Sequence, residues 1–328
     1  LGLGESYVDG WWECDALDQM FHRVLRARLD QTARIDWRAF LAFTVAKMVN
    51  LQTRRGARKV GREHYDLGND FFEAMLDPAM QYSCAYFKGA DDLATAQQQK
   101  MDLIARKLDL QPGKRLLDIG CGWGGLARYA AEQYQCEVVG VTISKEQQAY
   151  AAEVCRGLPV DIRLQDYRDV RETFDSIVSV GMLEHVGAKN YRTYFETAAR
   201  CLHEEGRFLC HSIACNQSGL ITDPWISRYI FPNSMLPTAA QISTASEGLF
   251  VIEDVHNFGA DYDRTLMSWE ANFDRSWDRF TDQYGDRFKR MWRYYLLSCA
   301  GAFRARDLQL FQFLLTKRGL EGGWAPVR

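Results

Sequence analysis

The sequence predicts an α/β fold, an open parallel sheet with helices on both faces, preceded by a smaller helical region. Three observations lead there. From Lys114 onward, short apolar runs alternate with amphipathic helical stretches, the pattern of parallel strands joined by crossover helices. "LLDIGCGWGGLA", Leu116 to Ala127, sets a glycine cluster directly after an apolar strand, where a backbone turns tightly and approaches a ligand closely. Before residue 52 the apolar residues recur at helical spacing instead.

Within that first region, Leu17, Met20, Phe21, Val24 and Leu25 form one apolar stripe, and Phe40, Leu41, Thr44, Val45 and Met48 another. The chain begins at Leu1 inside this pattern, so the beginning of the helical region is expected to be missing. "TRRGARKVGR" follows, with Arg54, Arg55, Arg58, Lys59 and Arg62 and no acid. It reads either as a solvated linker or as a contact for lipid phosphates, near which basic residues gain roughly 1 kcal/mol each. The expected division is a helical region and linker over 1–58 and a catalytic domain over 59–328. Candidate strands in the second part are Arg115–Ile119, Cys136–Thr142, Val160–Leu164, Phe174–Val180 and Arg207–Ile213. Near the end, "GAFRARDLQLFQFLL" combines apolar periodicity with Arg304 and Arg306 and is a candidate to pack on the sheet or to join a homodimer.

Composition narrows the class. A chain of 328 residues with 47% apolar content buries a large core, and a net charge of −3 gives no general attraction to nucleic acid. Nine cysteines lack a C-x-x-C pair and lie scattered through apolar runs, which suits reduced thiols in the cytoplasm. No apolar run reaches the roughly 18 to 20 residues of a membrane span, and no signal peptide is visible. The six histidines show no spacing such as H-E-x-x-H, so no metal is expected.

Gly120, Gly122 and Gly125 fit the G-x-G-x-x-G pattern, which by itself admits either a nicotinamide cofactor or S-adenosylmethionine. A nicotinamide site usually carries an acid at the exit of the second strand. Here the one acid of "CEVVGVTIS", Glu137, sits at the entrance, and the strand exits through Thr142, Ile143 and Ser144, with Gln147 one turn on. Many adenosylmethionine enzymes also use an acid there, so its absence weakens both readings. Asp118 before the cluster and the Asp166-Tyr167 pair after the third strand favour adenosylmethionine: one polar group orients the cluster and another reaches an adenine.

Six stretches carry a wider likeness: "HYDLGNDFF" from His64, "LDPAMQYSCAYF" from Leu76, "LLDIGCGWGG", "GVTISKEQ" from Gly140, "SVGMLEHVG" from Ser179 and "HNFGADYDRTL" from His256. Together, and in order through almost the whole chain, they resemble the bacterial cyclopropane-fatty-acyl-phospholipid synthases, relatives of the mycolic acid cyclopropane synthases. The resemblance implies a Rossmann-like sheet of the class I S-adenosylmethionine methyltransferase type. It implies cofactor contacts from Tyr82, Ser83, Asp118, Gly120, Gly122, Gly124, Thr142, Gln147, Asp166 and Tyr167. The implied reaction puts the cofactor's methyl carbon onto a cis double bond of a phospholipid acyl chain and closes a three-membered ring.

An alkene is a poor nucleophile, so such chemistry needs close placement, cation stabilisation and a dry pocket. Tyr82, Tyr86, Phe87, Trp123 and Tyr262 supply aromatic faces. A base is also needed, and no catalytic His-Asp pair or serine motif stands out. The resemblance implies a bicarbonate ion held by Cys84, Glu184, His211, Tyr262 and the backbone amide of Ile213. Imidazole, phenol and amide donate to an oxyanion, while Glu184 accepts from its O–H. His185 is expected to orient its loop without transferring protons, and His64 resembles a residue at the cofactor entrance.

The substrate lies in a bilayer, so the resemblance implies a cytoplasmic protein, peripheral on the inner membrane and homodimeric. "ITDPWISRYIFPNSMLP", Ile221 to Pro237, clusters Trp225, Ile226, Tyr229, Ile230 and Phe231 beside Arg228. It reads as an interfacial helix or as a cap over the site. The alternatives are a methyltransferase for a small acceptor, a lipid-binding module without catalysis, and an enzyme that leaves a methyl branch instead of a ring.

Overall fold

The computed structural model describes residues 2–29, 67–218 and 223–328. The basic stretch Arg54 to Arg62, the stripe Phe40 to Met48, His64 and Ile221 lie outside the described residues. Two helices, α1 (Gly2–Val8) and α2 (Leu17–Arg26), open the chain, followed after the undescribed segment by α3 (Asn69–Met75) and α4 (Leu93–Leu108). Asp92 caps α4 by accepting from the Thr95 amide.

The α/β unit then runs β1 (Arg115–Ile119), α5 (Gly125–Tyr134), β2 (Glu137–Thr142), α6 (Lys145–Val154), β3 (Val160–Leu164), β4 (Phe174–Val180), α7 (Tyr191–Cys201) and β5 (Leu202–Cys215). It continues through α8 (Pro224–Tyr229), α9 (Ala239–Ser246), β6 (Val251–Asn257), α10 (Asp261–Ser276), α11 (Thr281–Arg304) and β7 (Leu308–Thr316). The seven strands order β3-β2-β1-β4-β5-β7-β6. The first five are parallel, as the alternating pattern implies.

The sheet as a whole is nonetheless mixed, because β7 inserts antiparallel between β5 and β6. The segment 301–315 therefore divides: its first residues finish α11, and the run from Leu308 becomes a strand inside the sheet, buried on both faces. A short apolar run of this kind has no periodicity that separates buried strand from buried helix.

Side-chain alternation along β1 sets the two layers. Leu116 joins the core built with α4 and α5, while Leu117 and Ile119 face the core built with α7 and α9. A third, aromatic core holds α3, α10 and α11 together around Phe71, Phe72, Trp269 and Trp292. Helices α1 and α2 dock on it: a Cβ on Gly301 of α11 would meet Asp18 O at 2.5 Å, and Arg304 pairs with Asp18 at 2.6 Å. All nine cysteines are free thiols.

The segment after β5 is a cap. Trp225 and Ile230 are buried, Trp225 packs 4.5 Å from the Tyr294 ring, and Glu5 of α1 accepts from Arg228 and Tyr229. Two of the five anchors of the interfacial-helix reading, Trp225 and Ile230, thus point into protein.

Candidate active site

Strand order reverses between β1 and β4, and at the carboxyl ends of those strands a cavity opens, the usual ligand position in a doubly wound sheet. Its wall includes Tyr82, Ser83, Asp118, Gly120, Gly122, Thr142, Gln147, Asp166 and Tyr167. Of the expected cofactor residues, Gly124 is the one outside it: with φ +82° it precedes α5 and backs onto Ala151. Trp123, expected as an aromatic face, also lines it, as do Met80, Gln165, Met182, Pro232 and Asn233, which had no local signal in the sequence.

Two glycines have separable roles. Gly122 takes φ +54°, and a Cβ there would meet nothing within 4 Å, so its bare face borders open cavity. Gly125 is closed in: a Cβ would lie 1.9 Å from Ala79 O. The first leaves room for a ligand, and the second lets the 77–84 loop touch the start of α5. The Gly120 and Cys121 amides both donate to Val141 O, which ties the turn to β2.

On the far wall, Thr142 Oγ1 donates to Gln147 Oε1 at 3.0 Å and accepts from the Ser144 amide. Asp166 accepts two bonds from the Arg168 guanidinium and one from its amide. Asp118 is buried, which raises its carboxyl to about 7 against the opposing charge of Lys100.

The loop 77–87 carries the near wall and is pinned from below. Asp77 accepts from the Ala79 and Gln81 amides, and Gln97 donates to the carbonyls of Gln81 and Ser83. Lys100, fully buried on α4, donates to Gln81 Oε1 and to Ser83 Oγ. Burial lowers Lys100 to about 8. Gln97 and Lys100 were not singled out from the sequence, although they occupy positions on the apolar face of an amphipathic helix. From α10, Thr265 accepts from the Ala85 amide and Asp261 from the Phe87 amide.

Behind the cavity the same two chain segments, 82–84 and 182–185, lead to a buried polar group. Cys84, Glu184, His211 and Tyr262 are all buried, and none of them lines the cavity. Glu184 Oε1 accepts from the Ile213 amide at 2.6 Å. The amide expected to donate to a bound ion therefore donates to Glu184. Glu184 Oε2 and His211 Nε2 are buried without a partner, and His211 Nδ1 lies 3.3 Å from Gln312 Nε2. Tyr262 stacks on Phe303 at 4.4 Å, and Tyr82 bonds Tyr295 through their hydroxyls and packs on Trp269.

Burial decides the protonation states. It raises Glu184 to about 7, against its own and the Ile213 amides and the Ser212 hydroxyl. It pushes Cys84 well up, helped by Asp261, and Tyr262 well up, helped by the nearby Cys84 and Glu184. It holds His211 well below the usual imidazole range. The phenol and the imidazole are thus neutral donors arranged with one carboxyl, while the neutral Cys84 thiol donates to Ala85 O at 3.3 Å. His185 lines the cavity with its ring 5.9 Å from Phe231 and is held to about 4 by burial. Among the described residues no group of His, Cys, Asp and Glu is placed to hold a metal ion.

A family model for mycolic acid cyclopropane synthetase matches residues 52–313. The chain is 58% identical, over all 328 residues and 86% of the relative, to cyclopropane-fatty-acyl-phospholipid synthase of Escherichia coli K12. It is 35% identical over 285 residues to cyclopropane mycolic acid synthase 2 of Mycobacterium leprae, covering 78% of this chain and 92% of that one. Among solved structures, cyclopropane synthase MmaA2 from Mycobacterium tuberculosis superposes with a TM-score of 0.74 at 33% identity, over 79% of this chain and 98% of that one. CmaA1 in complex with SAH and CTAB gives the same TM-score and coverage at 32% identity.

Proposed function

The chain belongs to the mycolic acid cyclopropane synthetase family, and from that premise we propose that it is a cyclopropane-fatty-acyl-phospholipid synthase. It is an S-adenosylmethionine-dependent enzyme, and its reaction adds a methylene group across the cis double bond of an unsaturated phospholipid acyl chain. The finer part of the proposal is that a bicarbonate ion, held by Cys84, Glu184, His211 and Tyr262, is the base for ring closure. One observation carries this part: Glu184 Oε2 and His211 Nε2 are buried together with the neutral Cys84 and Tyr262 and have no partner of their own. Orphaned buried polar atoms are costly, and an oxyanion bearing one O–H matches an imidazole and a phenol donor set with one carboxylate acceptor.

The cavity residues suit the cofactor. Gly122 leaves its bare face open, Thr142 and Gln147 offer polar atoms at the β2 exit, and Asp118 offers a carboxyl beside the glycine turn. When bound, S-adenosylmethionine supplies a methyl carbon on a good leaving group, and bicarbonate supplies a base for the proton this carbon loses. The protein's residues do the rest. Tyr82, Trp269 and Tyr262 present aromatic faces that stabilise positive charge on the acyl chain. The pinned 77–87 loop and the Trp225 cap exclude water that would trap that charge. Glu184, anionic above its raised pKa of about 7, accepts from the ion's O–H and keeps it basic.

The phospholipid is taken from the cytoplasmic face of the inner membrane by peripheral contact, through the region 1–58 with its basic stretch, by a homodimer. No helix among the described residues is long and apolar enough to cross a membrane. Flotation with anionic vesicles and light scattering measure these two properties.

The test of the reaction uses the purified protein, S-adenosylmethionine and vesicles of a cis-monounsaturated phospholipid, with the released fatty acids analysed by mass spectrometry and proton NMR. The expected product is heavier by one CH2 and shows cyclopropane ring protons. Glu184→Gln abolishes it, and removing bicarbonate slows the wild type. A methyl-branched product refutes ring closure, and a rate indifferent to bicarbonate refutes the base.

A further inference from the structure

One register row crosses the three strands at the end of the sheet. His211 on β5 is paired with Gln312 on β7, and Gln312 is paired with His256 on β6. The side chains share a face: Gln312 Nε2 is 3.3 Å from His211 Nδ1, and Phe258 packs 5.7 Å from the His211 ring and 5.0 Å from the His256 ring. Gln312 is fully buried inside the apolar run "LFQFLL". An apolar residue would fill that place without a desolvated amide. Its Oε1, together with His211 Nε2 and His256 Nδ1, is buried without a partner.

A neutral imidazole has one donor and one acceptor nitrogen, and the bond made by one nitrogen fixes the role of the other. An amide nitrogen only donates. We propose that Gln312 is a positioning residue: its amide N–H donates to His211 Nδ1, which fixes the ring proton on Nε2 and keeps that N–H as the donor of the buried site. With the opposite tautomer, Nε2 would present a lone pair and repel an anion. Gln312 thereby decides whether this corner of the site attracts an oxyanion. The inference rests on the reading of His211 as an anion ligand, and burial together with the charges of Lys100, Lys107 and His256 supports a neutral ring.

The experiment labels the histidines with 15N and records two-bond proton-nitrogen spectra of the whole protein without bicarbonate or substrate. His211 is assigned by the signals lost in His211→Asn. The wild type is expected to show the Nε2–H tautomer, with an Nδ1 resonance displaced by an accepted hydrogen bond. Gln312→Leu removes that displacement and lowers kcat roughly 10- to 100-fold, the range for losing an outer partner of a ligating histidine, while KM for the phospholipid stays unchanged. Gln312→Glu, recorded at a pH high enough to ionise its buried carboxyl, can only accept and places a proton on Nδ1. An Nδ1–H tautomer in the wild type overturns the proposal, as does a Gln312→Leu variant with unchanged Nδ1 resonance and kcat. If Gln312→Leu does not fold, the wild-type tautomer and the Gln312→Glu spectrum still decide. Should the wild-type rate be indifferent to bicarbonate, the base reading falls, whereas the hold of Gln312 on His211 is judged by the spectra alone.

Discussion

Glu184→Gln has a consequence for stability that is independent of turnover. Burial lifts the Glu184 carboxyl from 4.5 to about 7, so the folded protein keeps a proton that the unfolded chain releases in that range. Unfolding then releases a proton, and raising the pH favours the unfolded state. The stabilisation is fully present below pH 4.5 and is lost as pH rises through 7. At 1.36 kcal/mol per unit, the shift amounts to about 3 kcal/mol. With about 2.1 cal/mol/K of unfolding entropy per residue, a chain of this length melts about 4 to 5 °C lower for that loss. Gln keeps the size and can still accept from the Ile213 amide, but it does not titrate. Thermal and urea unfolding of both proteins from pH 5 to 8, in bicarbonate-free buffer, should show nearly equal stabilities at the acid end. The variant should then lead increasingly, by about 3 kcal/mol at pH 8. Parallel curves across this range would refute the claim that burial of the carboxyl outweighs the hydrogen bonds it accepts.

Gly125→Ala forces a Cβ to within 1.9 Å of Ala79 O, so the 77–84 loop must move; chemical denaturation should show a loss of about 1 to 3 kcal/mol, accompanied by weaker cofactor affinity. Asp118, raised to about 7, becomes fully anionic only above neutrality. Calorimetric titration should therefore show S-adenosylmethionine, a sulfonium cation, binding more tightly from pH 6 to pH 8 in the wild type, and with little pH dependence in Asp118→Asn. Tyr262→Phe keeps the stack on Phe303 and removes one donor; kcat in the product assay should fall at least tenfold while the melting temperature moves by about 2 °C or less, the shift for roughly 1 kcal/mol in a large domain.

The five parallel strands and the glycine turn were legible because each carries a local pattern, an apolar run of five to seven residues and then a break, although β5 begins at Leu202, five residues before the expected Arg207. Strand β7 was not, since its place between β5 and β6 depends on a distant sheet edge that no window of sequence contains. Thr142 and Gln147 could be read as cavity residues from the exit of β2 alone. Gly124 could not be told from its neighbours, because its φ of +82° is set by the entry to α5. Positions 84, 184, 211 and 262 share no spacing, and only the likeness to a family brought them together before the fold did. Lys100 and Gln312 had a usable signal: each is a polar residue at a position where its element's pattern asks for an apolar one.

That signal has a general reason here. A fold tolerates a buried, incompletely paired polar group only where surrounding packing outweighs its cost of roughly 1 to 3 kcal/mol, and function is the usual cause of such a local conflict. In this chain the conflicts are grouped. Lys100 sits under the loop that carries Ser83, and Gln312 sits beside His211, with Glu184 behind the same cavity. The aromatic core around Phe72, Trp269 and Trp292 packs against the same loop through Tyr82. Dry aromatic packing that stabilises the fold also excludes water from a reacting carbon, so one set of rings meets both demands. The polar groups set within it are then those that the proposed cationic reaction and its proton would require.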